Sequence, residues 1–239
     1  MINELKRRIV TAAYLAKEGH IASAFSVLDI LFVLYTEVMR PEDCFILSKG
    51  HASLALYSII ARDDLKTFCR FDGALGGHPD RNKVPGVVAS TGSLGHGLPM
   101  AVGIALARKI KNQAGRIFCL VGDGECNEGS VWESLLLANE HELDNLTVII
   151  DNNRSTDRAI DLSCLEEKFR AFGFGTGAID GHNHEELRSR LSVAHSRIPL
   201  AVVAKTIKGK GCKRMENNPE WHHKAPNREE LNEILEELS

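Results

Sequence analysis

Two oxygen-bearing side chains, Asp123 and Asn153, follow two apolar runs at residues 117–121 and 147–150. Short continuous apolar runs are typical of strands buried in a parallel sheet. Because ligands of open α/β sheets bind at the carboxyl ends of the strands, we expect these two side chains to lie together at such a site. Their oxygens suit Mg²⁺ or Ca²⁺, and Mg²⁺ commonly combines one or two protein groups with phosphate oxygens. The pair therefore predicts a metal ion that binds a diphosphate.

The residues around Asp123 favour the same interpretation. Gly122 and Gly124 allow the backbone to approach a bulky anion, and a helix beginning near residue 129 adds free N–H groups. A Gly-Asp-Gly tripeptide by itself is common in ordinary turns. The second strand end, at residues 152–153, is what favours a ligand site over a turn.

Strands alternate with helices along the chain, which predicts an α/β fold with a doubly wound, mostly parallel sheet flanked by helices. We expect strands at residues 44–48, 87–91, 117–121, 147–150, 177–180 and 200–204. We expect helices at residues 2–18, 24–39, 52–61, 97–111, 130–141, 166–172, 185–196 and 227–238, the last opened by a capping box at 227–230. The sequence contains no linker, so residues 1–239 are predicted to form a single domain.

Composition excludes several classes of protein. A net charge of −3 leaves no cationic surplus for nucleic acid. We see no signal peptide and no apolar segment near the roughly 20 residues of a membrane span, so we expect a cytoplasmic protein without a membrane partner. The cysteines lack paired spacing, which predicts free thiols rather than disulfides or zinc ligands. They stand at positions 44, 69, 119, 126, 164 and 212.

The stretch GDGECNEG at residues 122–129, followed by LDNL at 143–146 and DNN at 151–153, resembles the thiamine diphosphate motif of the transketolase family. Further blocks resemble that family in the same order along the chain. They are GH at 19–20, FILSKGHA at 45–52, GHPD at 77–80, STGSLG at 90–95, KFRAFG at 168–173, IDGH at 179–182, AKTIKGKG at 204–211 and MENNPEWH at 215–222. The resemblance implies a thiamine diphosphate-binding fold and transfer of a two-carbon ketol unit from a ketose to an aldose.

The resemblance also implies roles for individual residues. Asp123, Asn153 and the Ser155 carbonyl correspond to ligands of Mg²⁺ (or Ca²⁺), and Gly124 to a neighbour of the diphosphate. Gly92 and Leu94 correspond to the loop at the aminopyrimidine end of thiamine diphosphate. Four histidines correspond to the active-site funnel: His51 and His222 nearer the diphosphate, His20 and His78 at the substrate. Glu128 and Glu133 correspond to carboxylates near a subunit interface.

The chain resembles the first part of a full transketolase, which implies the N-terminal subunit of a split enzyme. The expected partner is a separately encoded subunit with the pyrimidine-binding and C-terminal domains, in a heterotetramer of two subunits of each kind. The substrates are then sugars or sugar phosphates. The alternatives are a subunit of another thiamine diphosphate enzyme, either deoxyxylulose phosphate synthase-like or 2-oxo acid decarboxylating, and a non-catalytic binding or assembly subunit.

Several features allow more than one interpretation. The basic run at residues 205–213 favours a solvated loop over a phosphate site. The nearly all-apolar helices at 24–38 and 131–138 fit a core and a subunit interface equally well. Segments GHIASA at 19–24 and RSTDR at 154–158 depart from the family pattern. The other histidines are predicted to be structural or exposed, namely His96, His141, His182, His184, His195 and His223.

Overall fold

A parallel sheet of five strands organises the part of the chain that the structure, a computed structural model, describes: residues 1–156, 160–194 and 196–239, without the side chains of residues 62 and 63. The strands are β1 (Cys44–Leu47), β2 (Ile117–Gly122), β3 (Leu146–Asn152), β4 (Gly175–Asp180) and β5 (Leu200–Lys205). Their order is β1-β2-β3-β5-β4, and every neighbouring pair is parallel. Parallel neighbours need crossover connections, which the helices between the strands provide.

Helices cover both faces of this sheet, as the doubly wound prediction requires. The described helices are α1 (Ile2–Ala16), α2 (Ile21–Val33), α3 (Ser53–Ile60), α4 (Gly97–Ile110), α5 (Gly129–Glu140), α6 (Leu165–Ala171), α7 (His184–Leu191) and α8 (Arg228–Glu237). Phe118 and Leu120 of β2 face a core formed with α1, α2, α3, α7 and α8. Cys119 and Val121 of the same strand face a second core formed with α4, α5 and α6. Alternate side chains of one buried strand thus contribute to two cores, and the predicted fold class is confirmed.

One predicted strand is wrong. Residues 87–91 lie in a loop, because their polar groups bond to neighbours outside any ladder. Thr91 Oγ1 donates to the Leu47 carbonyl at 2.6 Å, and the Thr91 N–H donates to the Pro79 carbonyl at 3.2 Å. The loop therefore lies against the end of β1 and does not extend the sheet.

Helix α2 is the central helix of the larger core. It begins at Ile21, earlier than predicted, and continues through a π-helical turn at Leu34–Val38. Among the described residues, Ile21–Val38 is the one helical stretch that is long and apolar enough to cross a membrane by length and composition, contrary to our expectation of shorter segments. Since 78% of that stretch is buried inside the protein, its apolar character is explained by core packing.

The remaining boundaries differ by small amounts. Helix α5 buries one side, including Val131 and Leu135, as the core interpretation predicts, and exposes Leu136 and Leu137 on another. Helix α7 ends at Leu191 rather than at residue 196, and His195 lies outside the described residues. The predicted capping box of α8 is confirmed. All six cysteines are described, and all are free thiols as predicted.

Candidate functional site

The carboxyl ends of β1, β2 and β3 meet at one cavity of about 310 Å³. Parallel register sets this arrangement, because Gly122 pairs with Asp151 and the Asp123 N–H donates to the Asp151 carbonyl at 3.1 Å. Asp123 and Asn153, which follow these paired ends, therefore enter the same space. The lining residues are Lys49, His51, Leu94, Gly122, Asp123, Gly124, Glu125, Asn153, Ser155, Thr156, Lys208 and His222. Seven of the residues predicted for the site are among them.

Asp123 is a buried carboxylate with one unused oxygen. The residue is 4% exposed, and its Oδ1 accepts a hydrogen bond from the Gly124 N–H at 2.7 Å. Its Oδ2 is buried and has no hydrogen-bond partner among the described residues. Burial raises the pKa of Asp123, and the nearby charge of Asp151 raises it further. Such a carboxylate is matched by a cation, which would supply the missing partner and the missing charge.

Asp151 is, in contrast, fully compensated. Its carboxylate pairs with the buried ammonium of Lys49 and accepts a hydrogen bond from Ser26 Oγ at 2.8 Å. Thr206 Oγ1 also donates to it. Although burial opposes ionisation, Lys49 and these hydrogen bonds keep the pKa of Asp151 below its usual value. Asp123 is therefore the carboxylate at this cavity that remains available to a ligand.

Asn153 has a fixed orientation in this network. Its Nδ2 donates to Asp151 Oδ2 at 3.0 Å and to Ser26 Oγ at 3.2 Å. Its Oδ1 consequently lies on the opposite side of the amide, where it accepts from the Ser155 N–H at 3.0 Å. The described residues contain no cluster of three or more His, Cys, Asp or Glu side chains placed to hold a metal. The candidate metal ligands are thus one carboxylate, one amide oxygen and a backbone carbonyl, a set that suits a cation with phosphate and water as its other ligands.

Glu125 holds the turn that carries Asp123, a role that the sequence prediction missed. It is 1% exposed and accepts hydrogen bonds from Ser48 Oγ at 2.5 Å, the Gly95 N–H at 2.8 Å and the Gly122 N–H at 3.2 Å. One side chain therefore connects the end of β1, the loop before α4 and the end of β2. The signal available in the sequence was an acidic residue inside a Gly-rich turn.

Three of the four predicted funnel histidines lie together. The ring centroids of His20 and His51 are 5.3 Å apart, those of His20 and His222 are 5.6 Å apart, and those of His51 and His222 are 6.2 Å apart. Burial, with further contributions from neighbouring cations and histidines, lowers the pKa of His20 to about 4 and that of His51 to about 2. The cluster is therefore neutral near pH 7, so its imidazoles can both donate and accept hydrogen bonds.

His78 and Gly92 lie beside this cluster rather than on the 310 Å³ cavity. A Cβ atom at Gly92 would lie 3.0 Å from Cδ2 of His78, and Gly92 has a φ of +150° that favours glycine. His78 also contributes to lowering the pKa of His20. The two residues are hence neighbours of each other and of the histidine cluster.

Lys208 contradicts the prediction of a solvated loop at residues 205–213. It is 6% exposed, and its Nζ donates to Nδ1 of His222 at 2.9 Å. Burial, and next the charge of Lys49, lower the pKa of Lys208 to about 8. The loop bends inward because the Gly209 N–H donates to the Ala22 carbonyl at 2.9 Å. The basic run thus includes one buried cation at the cavity, while Lys205 and Lys213 are exposed.

Comparison with known proteins decides the family. Residues 1–238 match the family model described as transketolase, thiamine diphosphate binding domain. The chain belongs to the transketolase family. It is 36% identical to the A subunit of apulose-4-phosphate transketolase from Phocaeicola vulgatus, over 98% of this chain and 91% of that one. It is 35% identical to transketolase of Homo sapiens, over 99% of this chain and 41% of that one.

Solved transketolases have the same fold. The structure of transketolase from Campylobacter jejuni matches 99% of this chain and 42% of that chain, with a TM-score of 0.89 and 30% identity. This chain therefore spans about two-fifths of the human and Campylobacter transketolases, but nearly the whole of its Phocaeicola relative. The predicted identity, a transketolase-type N-terminal chain with a thiamine diphosphate-binding domain, is confirmed.

Two histidines outside the cavity have structural surroundings. His182 Nε2 accepts from the Ile207 N–H at 2.9 Å, so its proton is on Nδ1, which donates to Asp29 Oδ2 at 2.9 Å. His184 Nε2 donates to Asp29 Oδ1 at 2.8 Å. These bonds join α2 to the loop that carries Lys208, which agrees with the structural role predicted for both histidines.

Proposed function

We propose that this chain holds a divalent cation and the diphosphate of thiamine diphosphate, as one subunit of an enzyme that transfers two-carbon ketol units. The observation that carries the proposal is the buried Oδ2 of Asp123, unpartnered among the described residues, at a cavity beside two buried lysines. We take residues 1–239 as one cofactor-binding domain, since one sheet contributes to both of its cores. Its free thiols fit the reducing cytoplasm.

The metal ligands in this proposal are Asp123, Asn153 and the carbonyl of Ser155, and the cation is Mg²⁺, with Ca²⁺ as a substitute. The oxygen types support it, because both ions prefer hard oxygen ligands. The charges support it as well, since Lys49 pairs directly with Asp151, whereas burial and the charge of Asp151 raise the pKa of Asp123. A divalent cation would offset the charge of Asp123 and attract the diphosphate.

The diphosphate would be held by Lys208, His51 and His222 with the backbone at Gly124. Lys208 and His222 are already hydrogen-bonded to each other at 2.9 Å, and both line the cavity with Gly124. A Cβ atom at Gly124 would make an ordinary van der Waals contact, 3.6 Å from the Cβ of Thr156, so the described residues do not crowd this glycine. Gly92 and Leu94 would contact the aminopyrimidine end.

His20 and His78 are proposed to bind the substrate. Imidazoles suit a polyhydroxylated ketose, because they can donate or accept hydrogen bonds and protons at sugar hydroxyls during carbonyl addition. Thiamine diphosphate, when bound, supplies the carbon nucleophile that this transfer needs. The donor is thus a ketose phosphate rather than a plain 2-oxo acid. The names of the relatives favour a sugar phosphate, and the similar identities of 36% and 35% do not choose between apulose 4-phosphate and other ketose phosphates.

The remaining domains would come from a separate partner subunit. The human transketolase is more than twice as long as the matched region, whereas the apulose-4-phosphate transketolase relatives have nearly the length of this chain. Helices α4 and α5 also expose large apolar side chains that a partner would cover: Ile110 is 72% exposed, Leu136 60% and Leu137 55%. Glu128, just before α5, and Glu133, within α5, are exposed as well. We propose a heterotetramer with two copies of each subunit, in which the partner activates the aminopyrimidine.

Calorimetry on the complex with its partner tests the proposal. Thiamine diphosphate should bind only with Mg²⁺, and binding should be lost in Asp123→Ala but retained in Asp72→Ala, a matched change at an exposed aspartate. Xylulose phosphate and pyruvate should then be compared as donors. Turnover of pyruvate alone would identify a different thiamine diphosphate enzyme. Cofactor binding that needs neither Mg²⁺ nor Asp123 would contradict the proposed site and favour an assembly subunit.

A further inference from the structure

His223 lies face to face with a histidine of the proposed site. The rings of His20 and His223 are stacked, with centroids 4.4 Å apart and an interplanar angle of 20°. The other neighbours of His20 meet it at steep angles: 56° for His51 and 84° for His222. His223 is thus the ring that covers a face of the His20 imidazole, whereas His51 and His222 meet it at an angle.

The backbone holds this stack in place. His20 and Lys224 form an isolated parallel bridge, so the segment that carries His222 and His223 lies beside the residue that opens α2. Lys224 is anchored in turn, since its Nζ contacts Glu230 Oε1 at 2.6 Å and lies 4.4 Å from the ring centroid of Trp221. Two segments about 200 residues apart in the sequence are therefore joined where the two rings meet.

The charged surroundings differ on the two sides of the stack. His223 is the outer ring, 56% exposed, with its Nε2 3.9 Å from Glu18 Oε1. His20 is the inner ring, surrounded by His51, His78 and His222 and by Lys208. A proton on the outer ring meets water and a carboxylate, and a proton on the inner ring meets imidazoles and an ammonium. The surroundings of the inner ring therefore favour its neutral form.

We propose that His223 is a positioning residue, which stacks on His20 and holds that imidazole neutral and correctly oriented for the sugar. This inference rests on the proposed function for the role of His20, although the stack itself does not depend on it. His223 would not touch the substrate or the cofactor. It would act through the face of the inner ring, while its own Nε2 lies beside Glu18.

The stack can be tested on the full chain by NMR of its histidine Cε1–H groups, with His20 assigned from His20→Gln. In the wild type, the pKa of His20 should lie near 4. In His223→Ala it should rise toward the ordinary value of 6.5, because the inner ring becomes solvated and loses a like-charged neighbour. In His223→Phe it should stay low, since the flat ring is retained. An unchanged titration of His20 in His223→Ala, or equal titrations in the two variants, would overturn the stacking proposal.

A second measurement connects the stack to catalysis in the complex with the partner. His223→Ala should lower kcat/KM for the donor ketose roughly three- to tenfold, the size expected of an aromatic pair, mainly through KM. His223→Phe should restore it to within about twofold, and His141→Ala, at an exposed histidine after α5, should leave it unchanged. If the wild-type complex lacks ketol transfer, the proposed function fails while the NMR result still decides the stack. If His223→Phe and His223→Ala lower activity equally, positioning by the ring is refuted.

Discussion

Asp123→Asn is expected to stabilise the chain and to abolish its metal-dependent binding of cofactor. The wild-type carboxylate is 4% exposed, its Oδ2 has no partner among the described residues, and Asp151 adds a like charge. Folding therefore places in the interior a negative charge that backbone hydrogen bonds and the charge of Lys49 offset only in part. Asparagine keeps the oxygen that accepts from the Gly124 N–H and removes the charge.

The magnitude follows from what changes. An unsatisfied buried polar group costs about 1–3 kcal/mol, and a charged one costs more. The asparagine amide still lacks one hydrogen-bond partner, so only the cost of the charge is removed. This should raise the free energy of unfolding by about 1–2 kcal/mol. For a chain of this length, that corresponds to a rise in Tm of roughly 2–8 °C. Cofactor binding should be lost. The wild type should gain about 2.7 kcal/mol of stability from thiamine diphosphate with Mg²⁺ when the ligand concentration is a hundred times Kd, and the variant should gain none.

The effect should depend on pH with a defined sign. Since the pKa of Asp123 is raised by folding, the carboxyl lowers stability as the pH rises from the unfolded pKa of 3.8 through the higher folded value. The stabilisation by asparagine should thus be full at pH 7.5 and should disappear at acidic pH, where the wild-type carboxyl is protonated. Chemical denaturation of the chain alone at several pH values measures this difference.

Two outcomes would refute the reasoning. One is an Asp123→Asn variant that is no more stable than the wild type at pH 7.5. The other is a stabilisation of equal size at all pH values, which would show that charge is not its cause. Asp72→Asn is the matched control, because this exposed aspartate should change stability by less than about 0.5 kcal/mol.

Two further predictions concern Lys208, in the loop at the cavity, and two glycines of α4. Lys208→Met should weaken Mg²⁺-dependent cofactor binding roughly 10- to 100-fold, as measured by calorimetry, whereas Lys205→Met, at an exposed lysine, should not. The affinity of the wild type should also fall as the pH rises through about 8, where Lys208 loses its proton. Gly97→Ala should lower the free energy of unfolding by about 1–3 kcal/mol, because its Cβ would lie 2.6 Å from the Cα of Ser48. In contrast, Gly103→Ala should raise it by roughly 0.5–1 kcal/mol, since no described atom lies within 4 Å of that added Cβ and alanine favours a helix. Equal cofactor affinities of Lys208→Met and Lys205→Met would contradict the proposed role of Lys208. Equal changes in the free energy of unfolding for Gly97→Ala and Gly103→Ala would contradict the close packing at Gly97.

The sequence was sufficient where one physical signal dominated. Buried strands such as β2 and β3 are continuous apolar runs, and the burial of nearly all their residues explains why the runs predicted them. Asp123 and Asn153 interrupt that apolar pattern at strand ends, so their juxtaposition followed from the parallel register. The segment at 87–91 has similar composition, yet its polar groups bond to the loop around Pro79 and to β1, which local pattern does not encode.

Other parts of the site depend on contacts between distant segments. Lys208 was predicted to be solvated because its neighbours in sequence are lysines and glycines, and its burial comes from the bond between Gly209 and Ala22. The pairing of Lys49 with Asp151 joins residues 102 positions apart. Composition around each residue gave no indication of these partners, so charge compensation at the cavity became visible only in three dimensions.

Helix α2 explains how such separated residues reach one place. Its first turn follows His20, its Ala22 carbonyl accepts from Gly209, and Ser26 donates to Asp151. Its Asp29 holds His182, whose other nitrogen accepts from the backbone of the loop before Lys208. A helix that must be apolar enough to occupy the core thus also carries polar groups that bond to Asp151, the partner of Lys49, and to the loop that places Lys208 at the cavity. A substitution deep in this helix should therefore alter the cofactor site before it alters the sheet, since the site depends on these few directed bonds and the sheet on many undirected apolar contacts.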